Sequence, residues 1–436
     1  MKKSISSSIV AALLFSTPLV AFAEPVTSKF NLSVGGFVKL DYAYNSVNFG
    51  QSGGLTPGNG AIPLRSSAAG KQEQSIFTAR QSRLWFKANG PDFMDAKTSA
   101  LIEADFYGDP AAAAESPQMR MRLAYGALDW KNTQVLFGQN WDIFGPMIAS
   151  TVDFRSGATT GAPNNPRVPQ IRVTQKIDFN ADNALTLVFG VQDPNQDANN
   201  NTATALTATS ATTTNGTTAT TTTTVSNAAL SNYGAAVNAA GQIMFSSKVL
   251  GAAPGYFGLP MKPLTLGVFG LYGNSKLSAT NKTVDSYGGG VYAFVPVLRS
   301  SDGKSRAMTM SLEGQAYEAG NMAFNTATAG TYVGANTNPN PAKGYGLAAQ
   351  AIFYPTQELG LTAGYGKRGT ITNSDYTGGA FQKSTSQFYA NASYDLNAAV
   401  RVMTEYQNME TQYNNTTGGA DKGVANIFRV AAFYFF

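Results

Sequence analysis

Apolar and polar residues alternate with a period of two along much of this chain. Leu32, Val34, Gly36, Val38, Leu40, Tyr42 and Tyr44 fall on one face of an extended segment. Asn31, Ser33, Gly35, Phe37, Lys39, Asp41 and Ala43 fall on the other. A period of two marks a β-strand whose two faces meet different surroundings. The run is longer than the usual globular strand of about 5–6 residues. It suits a tilted membrane strand, which needs about 9–11. The pattern recurs at Leu185, Leu187, Phe189 and Val191, and at Leu264, Leu266, Val268, Gly270 and Tyr272. It returns at Leu359, Leu361, Ala363 and Tyr365, and at Val400, Val402, Thr404 and Tyr406.

The connections between these segments alternate between short and long. Tight turns rich in Gly, Pro, Asp and Asn are expected at 89–92, 131–133, 180–183, 355–358 and 396–398. Long polar loops are expected near 45–72, 107–118, 142–168, 193–232, 274–285, 319–344, 369–384 and 410–422. Tight turns at one end and long loops at the other are the asymmetry of outer-membrane barrels. The reading is all-β: a transmembrane antiparallel β-barrel of about sixteen strands, with fourteen or eighteen open. The segments at 239–249 and 284–297 alternate least clearly. A soluble β-sandwich is the rival; it would not need so many long strands with aromatic ends.

The N-terminus changes the picture by giving an address. Lys2 and Lys3 precede an apolar stretch from Ile9 to Phe22, and Ala21-Phe22-Ala23 is an A-x-A cleavage signal. Residues 1–23 therefore read as a signal peptide, and 24–436 as the barrel domain. No stretch reaches the roughly 20 apolar residues of a membrane-spanning helix.

Composition then removes function classes. The chain has no Cys and no His. This excludes disulfides, thiolate metal sites and any Ser-His or Cys-His nucleophile pair. We expect neither enzyme activity nor a cofactor. Only 13% of residues are charged, against about 25% in soluble domains. The formal net charge of +5 falls to +3 once Lys2 and Lys3 are removed, too little to imply nucleic acid as a partner. Gly364-Tyr365-Gly366-Lys367-Arg368-Gly369 spells G-x-G-x-x-G but lies within an alternating strand and leads to a polar loop. A dinucleotide site needs a helix there. The Thr-rich 193–232 loop is of low complexity and can bury no core.

The third long loop is less polar than the others, with Trp141, Phe144, Met147, Ile148, Val152 and Phe154. Such a loop should pack against something. Folded into the barrel, it would narrow the lumen; the alternative is packing over the rim or at a subunit contact. Its charges, Asp142, Asp153, Arg155 and Arg167, are candidates for a constriction. Parity supplies the rest of that set. Arg83 and Lys87 on the second strand, Glu103 and Asp105 on the third, Arg120 and Arg122 on the fourth, and Arg172 and Lys176 on the sixth all oppose apolar neighbours. Charges on the lipid face cost about 2–4 kcal/mol near mid-bilayer, so these should face the lumen. On the fourth strand Met121, Leu123 and Tyr125 are expected outside. The surplus of arginine predicts a weak bias towards anions.

Phe428, Val430, Ala432, Tyr434 and Phe436 alternate up to the last residue. A final aromatic strand ending on Phe resembles the signal that outer-membrane barrels present to their assembly machinery. Together with Gly36–Asp41, Arg80–Leu84, Phe137–Asp142 and Pro169–Arg172, this C-terminus resembles the trimeric bacterial porins, and among them the DcaP-like group. The resemblance implies a sixteen-stranded homotrimer in the Gram-negative outer membrane, with an inward third loop and diffusion of small hydrophilic, often anionic solutes. The chain departs from that group in one respect: its first strand starts soon after the cleavage signal, where a coiled-coil extension is common. A surface barrel with a plugged lumen and a substrate-specific channel stay open as alternatives.

Overall fold

The computed structural model describes residues 30–49, 62–108, 117–153, 167–193, 208–214, 217–223, 230–231, 237–277, 281–322, 332–333, 338–372, 381–414 and 422–436. Among these, sixteen antiparallel strands close into a barrel. We number them β1 Asn31–Asn45, β2 Gln74–Thr78 continued as Arg83–Asn89, β3 Lys97–Asp105, β4 Arg120–Asp129, β5 Thr133–Trp141, β6 Arg167–Asp178, β7 Asn183–Gln192 and β8 Asn238–Pro254. The second half comprises β9 Met261–Leu277, β10 Thr283–Leu298, β11 Thr309–Gly320, β12 Lys343–Tyr354, β13 Leu359–Ile371, β14 Phe381–Asp395, β15 Val400–Asn414 and β16 Lys422–Phe435. No described helix is long and apolar enough to cross a membrane. A sheet spanning lipid must close, because an open edge would leave backbone groups unpaired in hydrocarbon. Here the seam pairs β1 with β16, from Phe37 opposite Phe435 to Asn45 opposite Ile427. The backbones of Gly36 and Phe436 exchange two more hydrogen bonds beyond it.

The two faces follow the alternation. Leu32, Val34, Val38 and Leu40 of β1 and Phe428, Val430 and Tyr434 of β16 point outward and are exposed. Their neighbours Lys39, Asp41, Arg429 and Phe433 point inward and are buried. The glycines of the G-x-G-x-x-G string lie inside β13.

Three irregularities depart from strict alternation. In β2 the ladder breaks at Ala79–Ser82, where the Ser82 N–H bonds the Ala79 carbonyl and Arg80 and Gln81 turn into the interior. In β4 a bulge at Arg122 sets Leu123 opposite Glu103 while Met121 stays opposite Ala104. An extra residue in one strand reverses parity beyond it. Leu123 and Tyr125 therefore face inward, not towards lipid as simple alternation predicts. In β8 the register breaks between Ser247 and Ala252. Beyond that break, residues 252–262 form a hairpin tip that bends away from the wall.

One end of the barrel carries the connections 90–96, 130–132, 179–182, 255–260, 299–308, 355–358 and 396–399. The low-complexity segment contributes a described hairpin, Ala208–Thr214 paired with Thr217–Thr223; residues 1–23, the expected signal peptide, lie outside the described residues.

Candidate functional site

The third long loop enters the barrel. β5 ends at Trp141, and Asp142 turns the chain by accepting the Phe144 N–H at 3.0 Å and the Gln192 side-chain amide at 2.7 Å. Ile143, Phe144 and Met147 then bury themselves in an apolar cluster with Met244, Phe269, Leu271, Tyr292, Phe294, Tyr317 and Met322. These partners sit on or next to the inner faces of β8 to β11. Phe144 meets Phe269 and Tyr317 edge-on, with ring centroids 5.0 and 5.6 Å apart, the arrangement that aromatic quadrupoles favour.

A loop inside a barrel has lost its water, so its backbone needs protein partners. Inward polar side chains on successive strands supply them. Gln315 of β11 accepts the Met147 N–H at 3.1 Å. Gln350 of β12 donates to the Ile148 carbonyl at 3.1 Å and accepts the Ser150 N–H at 2.9 Å. Asn391 of β14 donates to the Ser150 carbonyl at 2.6 Å. Glu405 of β15 accepts the Val152 N–H at 2.9 Å, and Lys39 of β1 donates to the Val152 carbonyl at 2.6 Å. Asp153 accepts a hydrogen bond from Gln81. The loop thus arcs across the lumen from the β5 side to the far wall and is latched there.

The latch is ionic. Arg429 pairs with Glu405 at 3.0 Å and faces Asp153 at 3.9 Å, and Lys39 pairs with Asp41 at 2.8 Å. All five groups are nearly inaccessible to solvent. Of these, only Asp153 is in the sequence-derived candidate set. Lys39, Asp41, Glu405 and Arg429 carry the same signal, an inward charge in an alternating strand, but lie on β1, β15 and β16, outside the second, third, fourth and sixth strands from which the candidates were drawn.

The opposite wall holds the arginines. Arg120 makes a two-pronged contact with Asp105, at 3.0 and 2.7 Å. Arg122 reaches Glu103 at 2.7 Å and Asp105 at 3.0 Å, and Arg83 stands 3.6 Å from Glu103. Trp141, at the root of the loop, lies between Arg122 and Arg167, whose guanidinium carbons are 5.5 and 5.3 Å from its ring. Cations over an indole face are attracted by its quadrupole. Arg167 is the first residue of β6, not a loop residue. Arg172 stands further along β6, within electrostatic reach of Tyr125. Five guanidinium groups here meet two carboxylates, Glu103 and Asp105.

The remaining candidates lie apart. Asp142 is at the loop's root. Lys87 is exposed near the turn end of β2. Lys176, also near the turns, pairs with Asp178 at 2.7 Å, and both are half-exposed. Arg155 lies outside the described residues. No cluster of metal-ligating side chains occurs among the described residues.

Among the described residues outside the strands, two groups inside the barrel are shifted by burial. Burial pushes the Asp142 carboxyl up to about 6, against the opposing pull of the Phe144, Gln192 and Ile143 donors. Burial also pushes the Tyr256 phenol up to about 12, opposed by the nearby Arg83, Arg122 and Arg401.

A closed sixteen-stranded barrel with a loop held inside it defines the porin fold. No family model matches the chain, and no curated protein does. Solved structures with the same fold are found. The outer membrane channel DcaP of Acinetobacter baumannii has a TM-score of 0.67 at 17% identity, over 93% of this chain and 97% of its own. The anion-selective porin from Comamonas acidovorans has a TM-score of 0.54 at 11% identity, over 93% and 100%. Salmonella typhi OmpF has a TM-score of 0.51 at 15% identity, over 93% and 97%.

Proposed function

We propose that this protein is an outer-membrane porin through which small hydrophilic solutes and ions diffuse passively, with a weak preference for anions. The observation that carries the reading is the basic wall of Arg83, Arg120, Arg122, Arg167 and Arg172 facing a lumen narrowed by an inward loop. Fixed charges at a narrow, low-dielectric passage act on an ion far more than charges at an open surface. The five arginines exceed their two carboxylate partners, so the field there favours anions. Two of the similar folds are, by name, an outer-membrane channel and an anion-selective porin. On this reading Lys87 and Lys176 attract anions at the turn-side mouth, and Asp142, Asp153 and Arg155 belong to the loop that shapes the passage.

The same reading includes removal of residues 1–23, assembly as a homotrimer and recognition of the C-terminal Phe436 by the barrel assembly machinery. Planar-bilayer recording on purified protein tests the function. Stepwise ohmic conductance with an anion-selective reversal potential in a KCl gradient supports it. A silent protein refutes the channel, and a cation-selective value refutes the charge argument. The rival, a surface barrel with a plugged lumen, predicts silence, together with loss of its phenotype when residues 193–232 are deleted.

A further inference from the structure

Loop 3 is not the only irregular segment inside the barrel. The hairpin tip that joins β8 to β9 also enters, from the short-turn end. Phe257 packs with Met403 of β15, Ala431 and Phe433 of β16, and Val152 of the loop; Tyr256 lies against the same cluster with Phe37 and Phe435. In a ring of sixteen strands β16 stands directly across from β8. A tip that leaves the wall at β8 and touches the inner faces of β15 and β16 must cross the lumen. The crossing is anchored along its way. Ser311 of β11 donates to the Pro254 carbonyl at 2.8 Å, and Lys262 pairs with Glu313 at 3.3 Å.

The tip and loop 3 touch. The Phe257 N–H donates to the Ser150 hydroxyl at 3.3 Å. Phe257 has φ of 46° and the next residue, Gly258, φ of 88°. A non-glycine residue in the left-handed region costs about 1–2 kcal/mol, so the surrounding contacts hold this reversal in place. A glycine suits position 258, where a Cβ would stand 2.6 Å from the Tyr354 hydroxyl. Tyr256 stacks edge-on to Phe257 with centroids 4.6 Å apart and lies within electrostatic reach of Arg83, Arg122 and Glu103. Its ring therefore sits between the far wall and the basic wall.

We infer that the β8–β9 tip is a second constriction element and that Tyr256, with Phe257 behind it, sets the size limit of the passage jointly with loop 3. This rests on the channel reading above. Solutes arriving from the short-turn end meet the tip before they reach the loop.

The test uses the full-length protein. Tyr256→Ala and Tyr256→Ala/Phe257→Ala are expected to raise unitary conductance by about 1.5-fold or more, as a narrow section widens. In liposome swelling they should admit larger neutral sugars than the parent does. Because the chain has no cysteine, Tyr256→Cys gives a second readout: a charged methanethiosulfonate reagent should reduce its current and leave the parent unaffected. Heat-modifiable gel mobility confirms that each barrel is folded. A conducting parent whose folded variants keep its conductance and size limit, with a reagent-insensitive Tyr256→Cys, overturns this inference alone. A silent parent overturns the channel reading and the inference with it.

Discussion

Glu405→Ala should unlatch loop 3 while leaving the barrel closed. The Glu405 carboxylate holds four groups at once: the Arg429 guanidinium at 3.0 Å, the Val152 N–H at 2.9 Å, the Asn391 amide at 3.1 Å and the Gln407 amide at 2.6 Å. Glu405 is 2% exposed and Arg429 1%, so solvent screens the pair weakly. Removing one partner of a buried pair costs about 3–5 kcal/mol, and a backbone N–H left without its acceptor costs about 1–3 kcal/mol more. Neither loss breaks the β14–β15–β16 ladders, so the penalty falls on the latched state of the loop. Lumenal water recovers part of it once the loop lifts. A net shift of about 3 kcal/mol corresponds to a change of about 100-fold in the ratio of unlatched to latched loop, at about 1.4 kcal/mol per decade. Single-channel recording should show larger or noisier openings than in the parent. Glu405→Gln, whose carboxamide oxygen can still accept the Val152 N–H, should fall between the two. If a folded Glu405→Ala barrel keeps both the parental unitary conductance and the parental open-channel noise, the latch argument is wrong.

The other expectations follow from single groups. Arg167→Gln should lower the anion-to-cation permeability ratio by about five-fold or more, because a unit charge about 4–8 Å from the ion's path in water contributes about 0.5–1 kcal/mol with opposite sign for the two ions; an unchanged reversal potential would count against the basic wall. Asp142 titrates near 6 in the folded protein against 3.8 as its ordinary value. Its folded-state pKa is raised, so its contribution is fully present below about pH 4 and is lost as pH rises through about 6; the span is about 3 kcal/mol at about 1.4 kcal/mol per pH unit. Asp142→Asn should therefore flatten this component of the melting-temperature profile between pH 4 and 7, and parallel profiles for parent and variant would contradict it. Lys176→Ala removes a half-exposed pair and should change stability by less than about 0.5 kcal/mol by denaturant titration.

The barrel was legible because most of its strands separate two solvents. On β1 and β16 the outer face meets lipid and the inner face meets polar groups, so every second residue reports its side. The signal fails where loop 3 brings an apolar partner into the lumen. β10 buries Tyr292 and Phe294 against the loop while Val291 and Val297 face outward; both faces are then apolar and alternation fades. This is why 239–249 and 284–297, the central parts of β8 and β10, read so weakly. The bulge at Arg122 was invisible for another reason. One added residue changes neither composition nor periodicity on either side, and only the partner strand reveals the slip. The hairpin tip left a faint trace: Tyr256, Phe257 and Leu259 make its turn more apolar than 130–132 or 355–358. An apolar short turn is out of place at a wet barrel mouth, but it was passed over in the sequence reading.

These placements divide the lumen into two halves with different tasks. Towards β8–β11 the interior is filled by buried apolar and aromatic side chains that pack the loop against the wall. Towards β2–β6 the side chains are charged and partly solvent-exposed, and they are crosslinked by Glu103 and Asp105 rather than packed by apolar neighbours. A substitution in the filled half, such as Phe144→Ala, removes aromatic volume from a close-packed cluster, a loss of about 3–5 kcal/mol. It should loosen the loop without altering the fixed charge along the path. A substitution among the arginines removes charge while the cluster behind the loop stays intact. Conductance noise and ion selectivity should therefore separate between the two sets of variants. A Phe144→Ala barrel that changed reversal potential but not noise would show that the two halves are coupled, and that the loop's packing also sets the field.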